Sequence, residues 1–411
     1  MGVILKRLYV HNFKSFWHSK FEFGKLNCLI APNNAGKSNL VEALELLNNI
    51  LKKDLSKVFT LKENGKNFRY KEDEIKLKAT FFSDNMALID SSLMEYQIET
   101  TVDIRLNLKN LNFNIEVENQ GKIKAVVVDS VDIDRDDFII RKYNEDIELI
   151  LNNYKEYVEL LDKTNFMKLD GVEKSDELFT VLSGFDEVNN KNFSDVIQNI
   201  LGTKQLISSF YFHPEVIKYK QQYETNFLMK DGTNLAYFLN TLDKDSFENI
   251  STSLIGELEL IESIEISNGA IPHIVFNENV DGKIDKMTYQ KVSDGTIHFL
   301  ALMTALYASK GELLVLEEPE RHMHRKVLSY IIDTMRGSDK QIFFTTHSSE
   351  ILQLLELDEI VFLYRDYSGN TQSKRADDMY NIEKLMEIYD NDFVEMLKSG
   401  TFDDLNLEEE S

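Results

Sequence analysis

The stretch Ile30-Ala31-Pro32-Asn33-Asn34-Ala35-Gly36-Lys37-Ser38-Asn39 follows the apolar run Leu26 to Ile30 and precedes a helix-like segment, Leu40 to Leu51. Strand, loop and helix in that order, with Gly-Lys-Ser closing the loop, is the phosphate-binding pattern. In such a loop successive backbone N–H groups turn inward, and the new helix points the positive end of its dipole at a bound anion. The expectation is that Asn33, Asn34, Ala35, Gly36, Lys37, Ser38 and Asn39 cradle a phosphate chain. Lys37 would reach the β- and γ-phosphates and Ser38 would ligate Mg2+. Two positions depart from the pattern. Asn34 stands where a second Gly is common, a mild change because Asn tolerates positive φ. Ala31 stands where the pattern has Gly, and would weaken nucleotide binding if that position needs positive φ.

The bulk properties leave room for such a site. A chain of 411 residues, 43% hydrophobic and 28% charged, is long enough for one large nucleotide-binding domain with an insertion, or for two or three ordinary domains. The formal net charge of -24 excludes a generally basic, nucleic-acid-coating surface, though not a local basic groove. The single cysteine, Cys28, lies in the apolar run before the loop and reads as a small buried residue. It excludes an internal disulfide framework and fits a reducing compartment. No apolar run approaches bilayer-crossing length and Met1 to Val10 lacks a signal-peptide core, so a cytoplasmic protein without a membrane partner is expected.

Around the loop the chain alternates between strand and helix patterns. Ile4 to Val10, Phe21 to Phe23 and Leu26 to Ile30 read as a small N-terminal sheet that feeds the site. Ile75 to Phe82, Tyr96 to Leu108, Phe113 to Val117 and Ile123 to Val128 are β-rich. The last two are separated by Glu118-Asn119-Gln120-Gly121, a hairpin turn by composition. An antiparallel β subdomain is therefore expected over 70–130. The acidic run Val131 to Asp137 reads as a solvated turn. Apolar spacings of three and four, as in Ile147, Leu151, Tyr154, Val158 and Leu161, predict a mainly helical insertion over 140–260. Within it Asn234 precedes an amphipathic helix, Leu235 to Leu242. Ile271 to Phe276 and Lys286 to Gln290 follow as strands.

A second set of chemical residues occupies 285–365. Ser293-Asp294-Gly295-Thr296 opens the apolar helix Ile297 to Ser309, a small-polar turn at a helix start. Leu313 to Leu316 then runs into Glu317-Glu318-Pro319-Glu320. A buried strand that delivers acids to its C-terminal end is where α/β folds bind ligands. Glu317 would hold Mg2+, and Glu318 would orient or deprotonate an attacking water. A further apolar strand, Gln341 to Thr345, ends at His347, which would polarise a γ-phosphate. His322 and His324 lack the spacing of a metal motif, and His324 reads as part of the loop after the acid pair.

In order and spacing these motifs resemble the ATPases of the ABC class related to SMC, RecF and OLD proteins, most closely the compact members often described as AAA-type. The residues that carry the resemblance are Asn12-Phe13-Lys14-Ser15-Phe16, the phosphate loop, Ser293-Asp294-Gly295-Thr296, Leu316-Glu317-Glu318-Pro319-Glu320 and Thr346-His347-Ser348. Asp231-Gly232-Thr233-Asn234-Leu235-Ala236 and Lys398-Ser399-Gly400 are similar to pieces of the compact subgroup. Two positions differ: Glu317 stands where the magnesium ligand is usually Asp, and Arg325 where Pro is frequent. The resemblance implies an α/β P-loop ATPase head spanning 1–411, with ATP and Mg2+ as cofactors. It also implies a head-to-head homodimer or higher assembly in which ATP bound by one phosphate loop is capped by the other copy's Ser293 and Gly295. Lys14 would contact phosphate. The implied function is a hydrolysing molecular switch in antiphage defence or DNA maintenance, acting on DNA or on a separate effector such as a nuclease. No fused nuclease is expected, because Asp390-Asn391-Asp392, the one Asp-x-Asp after His347, follows a helix-like stretch and not an apolar strand. The alternative is a regulatory or scaffolding ATP-binding protein with little turnover.

Overall fold

A computed structural model describes residues 3–32, 35–51, 74–89, 92–107, 113–127, 148–149, 206–220, 225–258, 260–267 and 272–379. Asn33, Asn34, the helical patterns expected between 145 and 201 apart from residues 148–149, the acidic run Val131 to Asp137, and the motifs at 390–392 and 398–400 lie outside the described residues. The chain divides into two compact units. One comprises Met1–Glu22, Asn39–Leu206 and Asp366–Gln372, the other Phe23–Ser38, Ile207–Arg365 and Ser373–Ser411.

The first unit is built on an antiparallel sheet in the order β2-β1-β4-β5-β6-β7. Its strands are β1 (Val3–His11), β2 (Ser19–Glu22), β4 (Glu74–Ile89), β5 (Ser92–Asn107), β6 (Phe113–Val127) and β7 (Glu148–Leu149). Alternation drives it: Ile75, Leu77, Ala79 and Phe81 on β4 and Val102, Ile104 and Leu106 on β5 are buried, while the residues between them are polar or part-exposed. On β1 the pairing register with β4 shifts between Leu5 and Arg7, which resets the alternation and lets Leu5 and Leu8 both face inward.

Two expectations change here. The turn expected at Glu118-Asn119-Gln120-Gly121 is absent, because β6 runs unbroken through it and pairs with β5 at Glu118↔Thr101 and Gly121↔Ile98. A continuous ladder on a long partner strand outweighs the local turn preference of Asn, Gln and Gly. The N-terminal strands also part company. β1 and β2 stay in this antiparallel sheet, whereas the third, β3 (Leu26–Ile30), enters the other unit.

The second unit is organised by a sheet in the order β15-β14-β3-β13-β12-β8. These are β8 (Ile207–Phe210), β12 (Leu313–Glu317), β13 (Gln341–Thr345), β14 (Ile360–Arg365) and β15 (Thr371–Arg375), with β3. The β8, β12, β13, β3 and β14 neighbours all pair parallel. β3 and β13 are buried along their whole length, as expected of parallel strands covered on both faces. The mainly helical insertion expected over 140–260 is divided, since β7 and β8 are strands and β8 forms an edge of this sheet.

Helices α2 (Pro214–Tyr219), α3 (Leu235–Asn240), α4 (Lys244–Glu257), α5 (Asp294–Ala308), α6 (Arg325–Gly337) and α7 (Ser349–Leu352) complete this unit. α1 (Lys37–Leu51) starts in it and continues into the first unit. α5 is buried at every position from Ile297 to Leu306 and packs against α4 and α2. A three-stranded antiparallel sheet, β9 (Ile261–Ser267), β10 (His273–Val280) and β11 (Lys283–Thr288), turns at Asp281-Gly282 with φ of 53° and 77°. That pair of positive φ values is what an Asp-Gly hairpin supplies. No helix of the described residues is long and apolar enough to cross a membrane.

Asn234 occupies the N-cap position of α3 but makes no capping bond. Its side chain instead staples the preceding loop. The amide donates to Thr225 Oγ1 at 2.6 Å and to the Phe227 carbonyl at 2.8 Å, and Oδ1 accepts from the Met229 N–H at 2.9 Å. Gly232, at φ 75°, has no room for a Cβ, which would fall 2.9 Å from Ile217 Cδ1. Asn234→Ala leaves the part-buried Met229 N–H without its acceptor and removes two further bonds, and a stability loss of about 1–3 kcal/mol is expected in urea unfolding. Burial also pushes the Cys28 thiol well above its ordinary pKa. Cys28 should therefore resist alkylation in native protein and react only as global unfolding exposes it; fast labelling of the native state would contradict its placement.

Candidate nucleotide site

Three strands of the parallel sheet end side by side. In register, Leu29 of β3 stands opposite Thr345 of β13, and Thr345 opposite Glu317 of β12. Because the strands are parallel, the chain leaves all three at one edge. It leaves β3 into the phosphate loop, β13 into Thr346-His347-Ser348, and β12 into Glu318-Pro319-Glu320. β13 lies between the other two, so the histidine emerges between the loop and the acids.

Lys37, the first residue of α1, is half-buried. Its ammonium donates to His347 Nε2 at 3.1 Å and to the Ala31 carbonyl at 3.5 Å. Since an ammonium only donates, His347 Nε2 accepts and the imidazole carries its proton on Nδ1. Burial draws the Lys37 pKa below its ordinary value, while Cys28, Glu318 and Glu320 pull it back up. A lysine with few firm partners, in the field of two carboxylates, suits an exchangeable anion ligand.

The loop itself answers the question posed by Ala31. Among described non-glycine residues, positive φ is confined to Asn12, Lys14, His18, Asp281, Glu318 and His322. Ala31 therefore sits in ordinary backbone geometry and needs no glycine. Among the described residues of the loop, positive φ falls at Gly36, 112°, where only glycine is comfortable. The Ala35 N–H closes a turn onto the Pro32 carbonyl at 3.1 Å. Ser38 is exposed, and Asn39 donates instead to the Ser15 hydroxyl at 2.7 Å.

The acids divide in environment. Glu317 ends β12 exposed to solvent. Glu318 is half-buried with φ 44°, a left-handed conformation that costs on the order of 1–3 kcal/mol for a non-glycine residue. It is held there by its N–H, which donates to the Thr345 carbonyl at 3.1 Å, and by its carbonyl, which accepts from the Arg321 N–H at 3.0 Å. Glu320 was not singled out for a role by its position in sequence, yet its carboxyl is the one turned into protein. Oε1 accepts from Thr346 Oγ1 at 2.5 Å and from the His347 N–H at 3.4 Å. Burial raises its pKa above the ordinary value, against the Thr346 hydrogen bond.

Ser293 caps α5, its hydroxyl accepting from the Thr296 N–H at 3.0 Å. A Cβ on Gly295 would fall 2.5 Å from the His322 carbonyl, so glycine is required for the turn after the acids to pass this close. Lys218, buried at the end of α2, donates to the Val292 carbonyl at 2.7 Å and to Asp294 Oδ1 at 2.6 Å. Spacing gave no hint of Lys218, because its partners are 74 and 76 residues away. Among the described residues this turn makes no hydrogen bond to Lys37 or His347. Lys14, in the first unit, has φ 54°, pairs with Glu42 and lies 5.9 Å from the centre of the Phe13 ring. His324 caps α6, its Nδ1 accepting from the Lys326 N–H at 3.3 Å.

Known proteins sharing these features are distant in sequence. The chain is 25% identical over 407 residues to a Helicobacter pylori protein named ATP/GTP phosphatase, covering 93% of this chain and 95% of that one. Among solved structures, it is similar to the SMC head domain from Thermotoga maritima, at 11% identity and TM-score 0.46 over 91% of this chain and 99% of that one. It is also similar to an SMC head bound to the C-terminal winged-helix domain of ScpA, at 11% identity and TM-score 0.48 over 93% and 99%. Residues 173–353, which include the Ser293 turn, the acid pair and His347, match the family described as "AAA domain, putative AbiEii toxin, Type IV TA system".

Proposed function

We propose that this chain binds ATP, hydrolyses it to ADP and phosphate, and uses the cycle as a switch that closes two copies head to head. The observation that supports it best is the meeting of Lys37 with His347 at 3.1 Å, flanked by Glu318 and Glu320 at the ends of adjacent parallel strands. In this reading the phosphate loop and Lys37 bind the β- and γ-phosphates, and Lys37 exchanges His347 and the Ala31 carbonyl for phosphate oxygens. Released from Lys37, the His347 imidazole shifts its proton from Nδ1 to Nε2 and donates a hydrogen bond from Nε2 to the γ-phosphate. Glu318 orients a water and accepts its proton. A bond forms from the water oxygen to the γ-phosphorus while the bond to the β–γ bridging oxygen breaks, and ADP departs with that oxygen.

Ser38 and Glu317 fit Mg2+ as donors. Both offer oxygen, both are exposed, and Mg2+ usually takes one or two protein oxygens with the rest from phosphate and water. Bound there, it would neutralise charge on the phosphates. The exposed Ser293 with Gly295, at the start of the long helix α5, would cap the nucleotide of the second copy. The name of the Helicobacter pylori relative supports nucleotide hydrolysis, and the matched family is described as a putative toxin of a type IV TA system; the setting proposed is antiphage defence or DNA maintenance. The client would be a separate effector, a nuclease being one chemistry that suits it, or DNA.

Lys37→Ala should weaken binding of a fluorescent ATP analogue at least about tenfold, the loss of one or more charge-assisted bonds. Unchanged affinity would remove the loop from the site. Glu318→Gln should keep ATP affinity, lose about 100-fold or more in kcat, and accumulate as a dimer in ATP by light scattering. A monomeric variant at full activity would sink both the base and the switch.

A further inference from the structure

Glu320 has no part in the reaction as written, yet the fold spends a buried carboxyl on it. Burying an acid is a poor source of stability, because the desolvation cost offsets the bonds gained. Its bonding is also one-sided. Oε2 is buried and has no hydrogen-bond partner among the described residues, whereas Oε1 takes both Thr346 Oγ1 and the His347 N–H. Thr346 is itself buried, and its hydroxyl oxygen accepts from the Ser348 N–H at 2.9 Å. Ser348 caps α7. Among the described residues the side-chain hydrogen bonds of Glu320 therefore go to Thr346 and His347, the residues that leave the end of β13.

We propose that Glu320 is the positioning residue for His347: through Thr346 and the His347 amide it fixes the histidine to the turn that follows the acids. The inference rests on the functional reading above, and it deepens that reading by linking two of its groups. Glu318 and Glu320 share one turn, closed by the Arg321 and Met323 N–H groups on their carbonyls at 3.0 and 2.9 Å. Any movement of that turn carries Glu318 and His347 together. The water side and the phosphate side of the reaction thus stay in register, although they sit on different strands. Glu320 touches no reacting atom. Its effect is on geometry, where a displacement of about 1 Å can cost about 100-fold in rate.

The test uses the full chain with Glu320→Ala, Glu320→Gln, Thr346→Val and Thr346→Ser. The Gln and Ser variants keep the acceptor and the hydroxyl, and the other two remove them. Glu320→Ala and Thr346→Val should lower kcat about 10- to 100-fold with KM for ATP within about threefold, while Glu320→Gln and Thr346→Ser stay within about threefold of the parent. In nucleotide-free protein, the imidazole NMR signals of His347, assigned by their loss in His347→Gln, should move in the first pair and hold in the second. His347 signals unmoved by Glu320→Ala and Thr346→Val would overturn the inference, as would a Glu320→Gln loss equal to that of Ala. If the parent protein turns over no ATP, the functional reading fails, and the NMR arm still decides whether Glu320 positions His347.

Discussion

The row of backbone pairs Leu29, Thr345 and Glu317 is the constraint on which the chemistry depends. Parallel pairing forces three chain exits to one edge at one level, and the placement of β13 between β3 and β12 decides their order. Lys37 and His347 meet because their strands are neighbours. Glu318 reaches the same place because its N–H is bonded to Thr345, the last residue of the middle strand. The covered, apolar sheet below is what makes this edge rigid: β3 and β13 expose no residue, so a slip in register would bring polar backbone into the core.

Strain and charge are concentrated at that edge. Glu318 and His322 adopt left-handed backbone, at φ 44° and 64°, within a turn whose Glu320 holds Thr346 and whose His322 carbonyl crowds Gly295. This turn therefore touches both the strand end that carries His347 and the start of α5. Lys218 steadies the α5 start from the other side, with its ammonium shared between a carbonyl and Asp294. In a chain of net charge -24, Lys37 and Lys218 are placed where their charge does local work. Both are in contact with groups that a phosphate chain or a neighbouring turn could compete for.

Some of these features were legible in the chain and some were not. The Gly-Lys-Ser loop, the acid pair after an apolar strand and the histidine after another are local patterns, set by neighbours in sequence. Local preference misled where a ladder overrode it, as at Glu118-Asn119-Gln120-Gly121. At Asn234 the expected helix does follow, at Leu235–Asn240, but the side chain bonds Thr225, Phe227 and Met229 of the preceding loop, which local preference does not show. Ala31 looked like a defect only because the motif was read letter by letter. The backbone puts its positive φ at Gly36, so the alanine strains nothing.

The sequence by itself determined that a Gly-Lys-Ser loop, a carboxylate pair and a histidine follow buried strands, since apolar runs, glycine and charged ends are short-range signals. It determined α5 as an apolar helix for the same reason. Only the tertiary structure decided which strands lie side by side, that β3 leaves β1 and β2 for a different sheet, and that Lys37 finds His347 across 310 residues of chain. It alone revealed Glu320, an acid indistinguishable in sequence from its solvent-facing neighbours. Pairing across long separations depends on the burial of whole faces, which no local window contains.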